Sequence, residues 1–126
     1  MSRTISRVVT LLLLLAVWVP TFAAQDAGQF KERLSFTDRT DSKKIELNVP
    51  ASARFVNVQV EAALRSGAFI WTLRDAAGNV RLRGAGNGEG RYEGSTGKID
   101  AVTGVWTLEI RFKDATGSYD IVWTTG

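Results

Sequence analysis

The chain has 126 residues, 16 of them Lys or Arg and 13 Asp or Glu, and it contains neither histidine nor cysteine. The missing imidazole and thiol exclude Ser-His-Asp and Cys-His nucleophile systems, zinc and copper sites of the usual ligand types, and disulfide staples. A formal charge of +3 with no clustered basic excess excludes a nucleic-acid footprint.

The first predicted element is an export signal. Arg3 and Arg7 give a basic start, Val8 to Val19 form an apolar run broken only by Thr10, Pro20 ends it, and Thr21-Phe22-Ala23 supplies small residues ahead of a cut after Ala23. The twelve residues of that run fall short of the ~20 that span a bilayer, and no cysteine follows to take a lipid. Residues 1–23 are therefore expected to be a signal peptide. Residues 24–126 are expected to form one soluble domain, periplasmic or extracellular, without stable membrane insertion. Arg3 and Arg7 leave with the signal, so 14 basic residues face 13 acidic ones in the remainder. A domain of that size buries roughly two-thirds of its unfolded surface in one core.

From there the chain reads as strands and turns. Residues 24–42 are polar and mixed, with Leu34 and Phe36 alternating against Arg33 and Ser35 in a first strand. Lys43 to Val49 sets Ile45, Leu47 and Val49 against Lys44, Glu46 and Asn48, and Pro50 stops it. Phe55 to Leu64 puts Val56, Val58, Val60, Ala62 and Leu64 on one face. Phe69, Trp71 and Leu73 alternate next, and the turn Asp75-Ala76-Ala77-Gly78-Asn79 leads back into Val80 and Leu82 opposite Arg81 and Arg83, which predicts a hairpin. Near the carboxy terminus, Trp106, Leu108, Ile110 and Phe112 share a face. Asp114-Ala115-Thr116-Gly117-Ser118 reads as a second turn, and Tyr119, Ile121 and Trp123 return. Seven or eight short strands predict an all-β fold, an antiparallel β-sandwich of jelly-roll or immunoglobulin-like kind.

Three segments carry a family likeness: Ser66 to Asn79 (Ser-Gly-Ala-Phe-Ile-Trp-Thr-Leu-Arg-Asp-Ala-Ala-Gly-Asn), Gly104-Val105-Trp106-Thr107-Leu108, and Thr116-Gly117-Ser118-Tyr119-Asp120-Ile121. Over about residues 43–125 the chain resembles bacterial pre-peptidase C-terminal domains and, more loosely, the lumenal β-sandwich of the emp24/GOLD type. The resemblance implies an accessory or binding module of a secreted protein.

The remaining chemistry points the same way. Asp75, Glu89, Glu93, Asp100, Asp114 and Asp120 could in principle supply a carboxylate pair, but they also suit turns and solvated faces, and no enzyme activity is expected. Gly84 to Gly90 has glycine at every second position with no Lys-Ser/Thr after it, so it is not a phosphate loop. It reads as a flexible hairpin end or a strand pair lacking side chains. The Asp75 and Asp114 turns lack the Asp-x-Asp-x-Asp-Gly spacing of a calcium loop. No metal and no cofactor are expected. Trp71, Trp106 and Trp123 share the parity of core residues and are expected inside, leaving Phe55 and Tyr92 as the aromatic rings outside the inward pattern.

Two surface features are the candidate contacts. Arg74, Arg81 and Arg83 are expected to project outward from the hairpin, with Arg111 outward on a strand whose sheet the sequence does not fix. The glycine-rich segment 84–97, with Arg91 and Tyr92, is the loop expected to touch a partner. The candidate binding residues are thus Arg74, Arg81, Arg83, Arg91 and Tyr92, and the expected partner is a protein or a cell-envelope polymer. The alternative is an assembly subunit that pairs through sheet edges.

Overall fold

The computed structural model describes residues 28–126, and the expected signal peptide, residues 1–23, lies outside the described residues. Six strands follow in chain order: β1 (Gln29–Val49), β2 (Phe55–Arg74), β3 (Val80–Asn87), β4 (Gly90–Ser95), β5 (Ile99–Asp100) and β6 (Gly104–Thr125). All pairing is antiparallel. β6 lies between β1 and β2, and the far side of β2 pairs with β3, β4 and β5 in turn.

Strands β1, β2 and β6 have 21, 20 and 22 residues. Straight, each would run about 65–75 Å at ~3.3 Å per residue. Instead all three bend at one level. The β1–β6 register slips between Phe36 and Asp41, where Asp38 has φ 45°, and the β2–β6 register slips between Leu64 and Ala68, where Gly67 has φ 84°. β6 turns the same corner at Asp114, φ 48°. The β3–β4 hairpin crosses there as well, with the Gly88 amide donating to the Gly67 carbonyl at 2.8 Å. Amides released from the ladder by the bend find side-chain acceptors: Asp38 N–H donates to Thr116 Oγ1 at 3.0 Å, and Asp114 N–H to Thr40 Oγ1 at 2.8 Å.

The bend makes two facing layers. The first holds residues 29–36 of β1, 117–125 of β6, 55–64 of β2, and β4 with β5. The second holds residues 41–49 of β1, 104–113 of β6, 68–74 of β2, and β3. Trp106 and Trp123 lie on the same strand yet their ring centroids are 5.7 Å apart, because β6 has folded over on itself between them. At the corner, Phe36 stacks on Phe69 and meets Phe112 edge-on, 4.9 Å between centroids. The fold is the expected all-β sandwich, and the inward residues are the alternating ones: Val56 to Leu64, Phe69 to Leu73, Trp106 to Phe112, and Tyr119 to Trp123.

Two expectations are corrected. Asp114 to Ser118 is not a hairpin turn, since Ala115 pairs with Arg39 and Thr116 with Ser66, so the strand bends and continues between the same neighbours. Its Asp, Gly and Ser serve a bulged corner, which needs the same backbone freedom as a turn. The glycine-rich segment is the strand pair that its spacing allowed, β3 and β4 turning at Gly88 and Glu89, and not a loop as far as residue 97. A Cβ on Gly84 would sit 2.2 Å from the Trp71 ring and one on Gly86 would sit 2.4 Å from the Tyr92 ring, so the two rings occupy the space that side chains would take. Tyr92 accordingly faces the core rather than solvent, and its hydroxyl donates to the carbonyls of Asn87 and Gly88.

The corner makes a direct prediction. At Gly67 an alanine would need positive φ and would place its Cβ 2.1 Å from the Asp114 carbonyl oxygen, whereas Gly78, φ 89°, has open space around it. In urea unfolding, Gly67→Ala costs about 3 kcal/mol or more, while Gly78→Ala costs about 1 kcal/mol, the backbone penalty alone.

Candidate binding face

Arg81 does not belong to an outward stripe. The Asp75 turn closes with Asp75 Oδ1 accepting the amides of Ala77 and Asn79, both at 2.9 Å, and the β2–β3 register slips between Leu73 and Arg74. That bulge swings Arg81 inward. Its guanidinium donates to the buried Asp75 Oδ2 at 3.0 Å and to Asp100, and lies 5.4 Å from the Trp106 ring centroid. Arg81 thus clasps β5 to the β2–β3 hairpin. Burial pushes the Asp75 carboxyl up, but the Asn79 amide, the Arg81 guanidinium and the Ala77 amide together hold it below the ordinary value. The hydrogen bond from Arg81 holds the Asp100 carboxyl down as well.

Other basic side chains are committed too. Arg33 pairs with Asp120 and Arg39 with Asp41, both at 2.6 Å. Lys43 pairs with Glu32 at 2.7 Å, and both touch the Tyr119 hydroxyl.

The outer face of the second layer differs. On β2, Thr72 lies opposite Arg83 of β3 on one side and Glu109 of β6 on the other, and Ile70 lies opposite Arg111 of β6. Arg74 stands at one end of this row and Lys113, opposite Ala68, at the other. These residues surround a groove of about 560 Å³ whose floor includes Ala68, Ile70 and Thr72. Ile70 is 41% exposed. Among the described residues, Arg74, Arg83, Arg111 and Lys113 make no ion pair, and Glu109 is the one carboxylate lining the groove.

The sequence-predicted residues therefore separate. Arg74 and Arg83 meet on this face, Arg81 is the clasp, Tyr92 points inward, and Arg91 is exposed on the first layer opposite Ala63. Ile70 and Thr72 had the right parity to be found as outward residues. That Arg111 and Lys113 stand beside them depends on the β6–β2 pairing, which alternation alone does not encode. The first layer's outer face places Glu61 beside both Glu93 and Asp120.

No protein-family model matches the chain, and no curated protein matches it. Among solved structures it is similar to TmCBM61 in complex with beta-1,4-galactotriose, at 17% identity and TM-score 0.47 over 79% of this chain and 69% of that one. It is also similar to the insecticidal delta-endotoxin Cry8Ea1 from Bacillus thuringiensis, at 17% identity and TM-score 0.45 over 75% of this chain, which spans 20% of the endotoxin. A third is the CBM36-1 domain of a multidomain xylanase from the hindgut metagenome of Trinervitermes trinervoides, at 12% identity and TM-score 0.41 over 75% of this chain and 86% of that one. Likeness of this degree bears on no ligand and no site.

The clasp predicts an acid-sensitive fold. Asp75 and Asp100 both titrate below their unfolded value of about 3.9, so their contribution is complete above about pH 5 and is lost as pH falls through the folded-state values. Arg81→Ala lowers stability at neutral pH by about 2 kcal/mol by leaving Asp75 buried without its cation. The gap between the wild-type and Arg81→Ala melting temperatures narrows as pH is lowered from about 6 to about 3, followed by circular dichroism.

Proposed function

We propose that this chain is an exported, non-catalytic binding module whose partner, a cell-envelope polymer or a protein, docks on the outer face of the second layer. One observation carries the reading. Arg33, Arg39, Lys43 and Arg81 are each held by a carboxylate, and of the ten basic residues among the described ones that make no ion pair, four, Arg74, Arg83, Arg111 and Lys113, gather around one groove with an exposed isoleucine in its floor. Unpaired cations with low-dielectric walls between them focus potential outward and raise the local concentration of anions. Carboxylates that could have served catalysis are occupied in structure: Asp75 in its turn, Asp100 on Arg81, Asp120 on Arg33. The resemblance to pre-peptidase C-terminal domains fits the same accessory role.

Pairing through sheet edges is the weaker reading. The free edge of β1 carries Lys31, Arg33, Asp38, Asp41, Lys44 and Glu46 exposed along its length, and Lys43 and Glu32 turned toward Tyr119. Charge on and behind an edge strand opposes the addition of another strand.

The test is co-sedimentation of the purified protein with an envelope fraction. The double variant Arg83→Glu/Arg111→Glu loses binding by about tenfold or more at an unchanged melting temperature, and wild-type binding weakens as salt rises from about 0.1 to about 0.5 M. Equal binding by the double variant and the wild type would remove this face as the site.

A further inference from the structure

The ligand's chemistry can be narrowed from the side chains around the groove, a step that rests on the binding-module reading above. We propose that the groove takes an acidic glycan, a chain of sugar rings bearing carboxylates.

The first argument is the spread of the cations. Arg111 and Arg83 flank the β2 row from opposite sides, two strand spacings apart, which is about 10 Å across the sheet. Lys113 and Arg74 stand at the two ends of that row, opposite Ala68 and Thr107, about 20 Å apart along it. A single small anion meets one of these groups at a time. A polymer with charges set apart along its length meets several. Guanidinium groups pair with carboxylates through two parallel hydrogen bonds, and three of the four cations are arginines.

The floor is the second argument. Ile70 and Ala68 offer an apolar strip, and Thr72 lines the same groove, while Thr40 at its end has its hydroxyl engaged with Asp114. A sugar ring has a C–H face to lay on isoleucine and hydroxyls at its edge to meet threonine. Glu109, the single carboxylate among these cations, is an acceptor for hydroxyl donors, which a glycan supplies and a bare polyanion does not.

The same details disfavour the other anionic partners. Single-stranded nucleic acid is held by aromatic platforms for its bases, and Trp71, Trp106 and Trp123 are all buried; a duplex wants a larger clustered basic excess than these four cations beside Glu109. A lipid surface needs apolar side chains that protrude past the charges. Ile70, between Arg111 and Ala85 in its cross-strand row, is the one exposed large apolar side chain lining this groove.

The experiment is titration calorimetry of the purified protein with oligogalacturonate, with the methyl-esterified form of the same oligomer, and, by sedimentation, with phosphatidylglycerol vesicles. The acid oligomer binds, and esterification weakens it by about tenfold or more. Arg83→Glu, Arg111→Glu and Ile70→Asp each weaken it to a similar degree, and Arg91→Glu on the opposite layer leaves it unchanged. An ester that binds as well as the acid, or vesicles that bind where the acid oligomer does not, would overturn the glycan proposal. If the acid oligomer fails to bind while Arg83→Glu/Arg111→Glu still abolishes envelope sedimentation, the ligand class falls and the site stands. If envelope sedimentation is also unaffected, both fall.

Discussion

Three strands of about twenty residues can share one core only if they bend at the same level. Every other feature of this molecule depends on how the bend is made. A bend interrupts the ladder, and each interrupted amide must find another acceptor or be left unsatisfied. Here two threonine hydroxyls, those of Thr40 and Thr116, take that role between β1 and β6, and the Gly67 carbonyl does so for the β3–β4 crossing. Phe36, Phe69, Phe112 and Tyr119 fill the inside of the corner with rings at centroid distances of 4.9–6.3 Å, which holds the two layers at a fixed separation.

Because the layers are held apart by packing, their outer faces are free to differ in charge. On the first layer Arg33 answers Asp120 across the strands. On the second, the cations around Ile70 have no such answer. The glycines of β3 and β4 belong to the same economy of space: they admit Trp71 and Tyr92 from within, so the strand that presents Arg83 outward is backed by a large ring rather than by a side chain of its own.

The period-two alternation was enough to read most inward and outward residues, though not Val80, Arg81 or Tyr92, together with the burial of all three tryptophans in the described chain and the hairpin at Asp75 to Asn79. Alternation survives a bend, so it could not distinguish two strands joined by a turn from one strand folded over. The segments on either side of Leu64–Ala68 and of Asp114–Ser118 looked like separate strands for that reason. Arg81 departs from the pattern because it is itself the extra residue of a bulge, which turns it inward and leaves Val80 exposed on its turn side, and a bulge leaves no mark in the alternation. Tyr92 stands outside the inward pattern in sequence because glycine gives alternation no side chain to count, and the space left at Gly86 is what its ring fills. The candidate face was half legible: Arg74 and Arg83 lie on one hairpin, while Arg111 and Lys113 reach them only through pairing of strands distant in sequence.

The position of β6 between β1 and β2 has a kinetic side. It is the last of the six strands to be synthesised, and β1 has no other partner in either layer, with Gln29 pairing to Thr124 and Val49 to Gly104. Nothing resembling the native sandwich can assemble from the first five strands alone. Docking of β1 on β6 closes loops of roughly half to nearly all of the domain, a high-contact-order step of the kind that slows β-sandwich folding to milliseconds or longer. Until then β1 has no partner in the sheet, and the charged residues along it, from Lys31 to Glu46, keep such unpaired strands from joining one another.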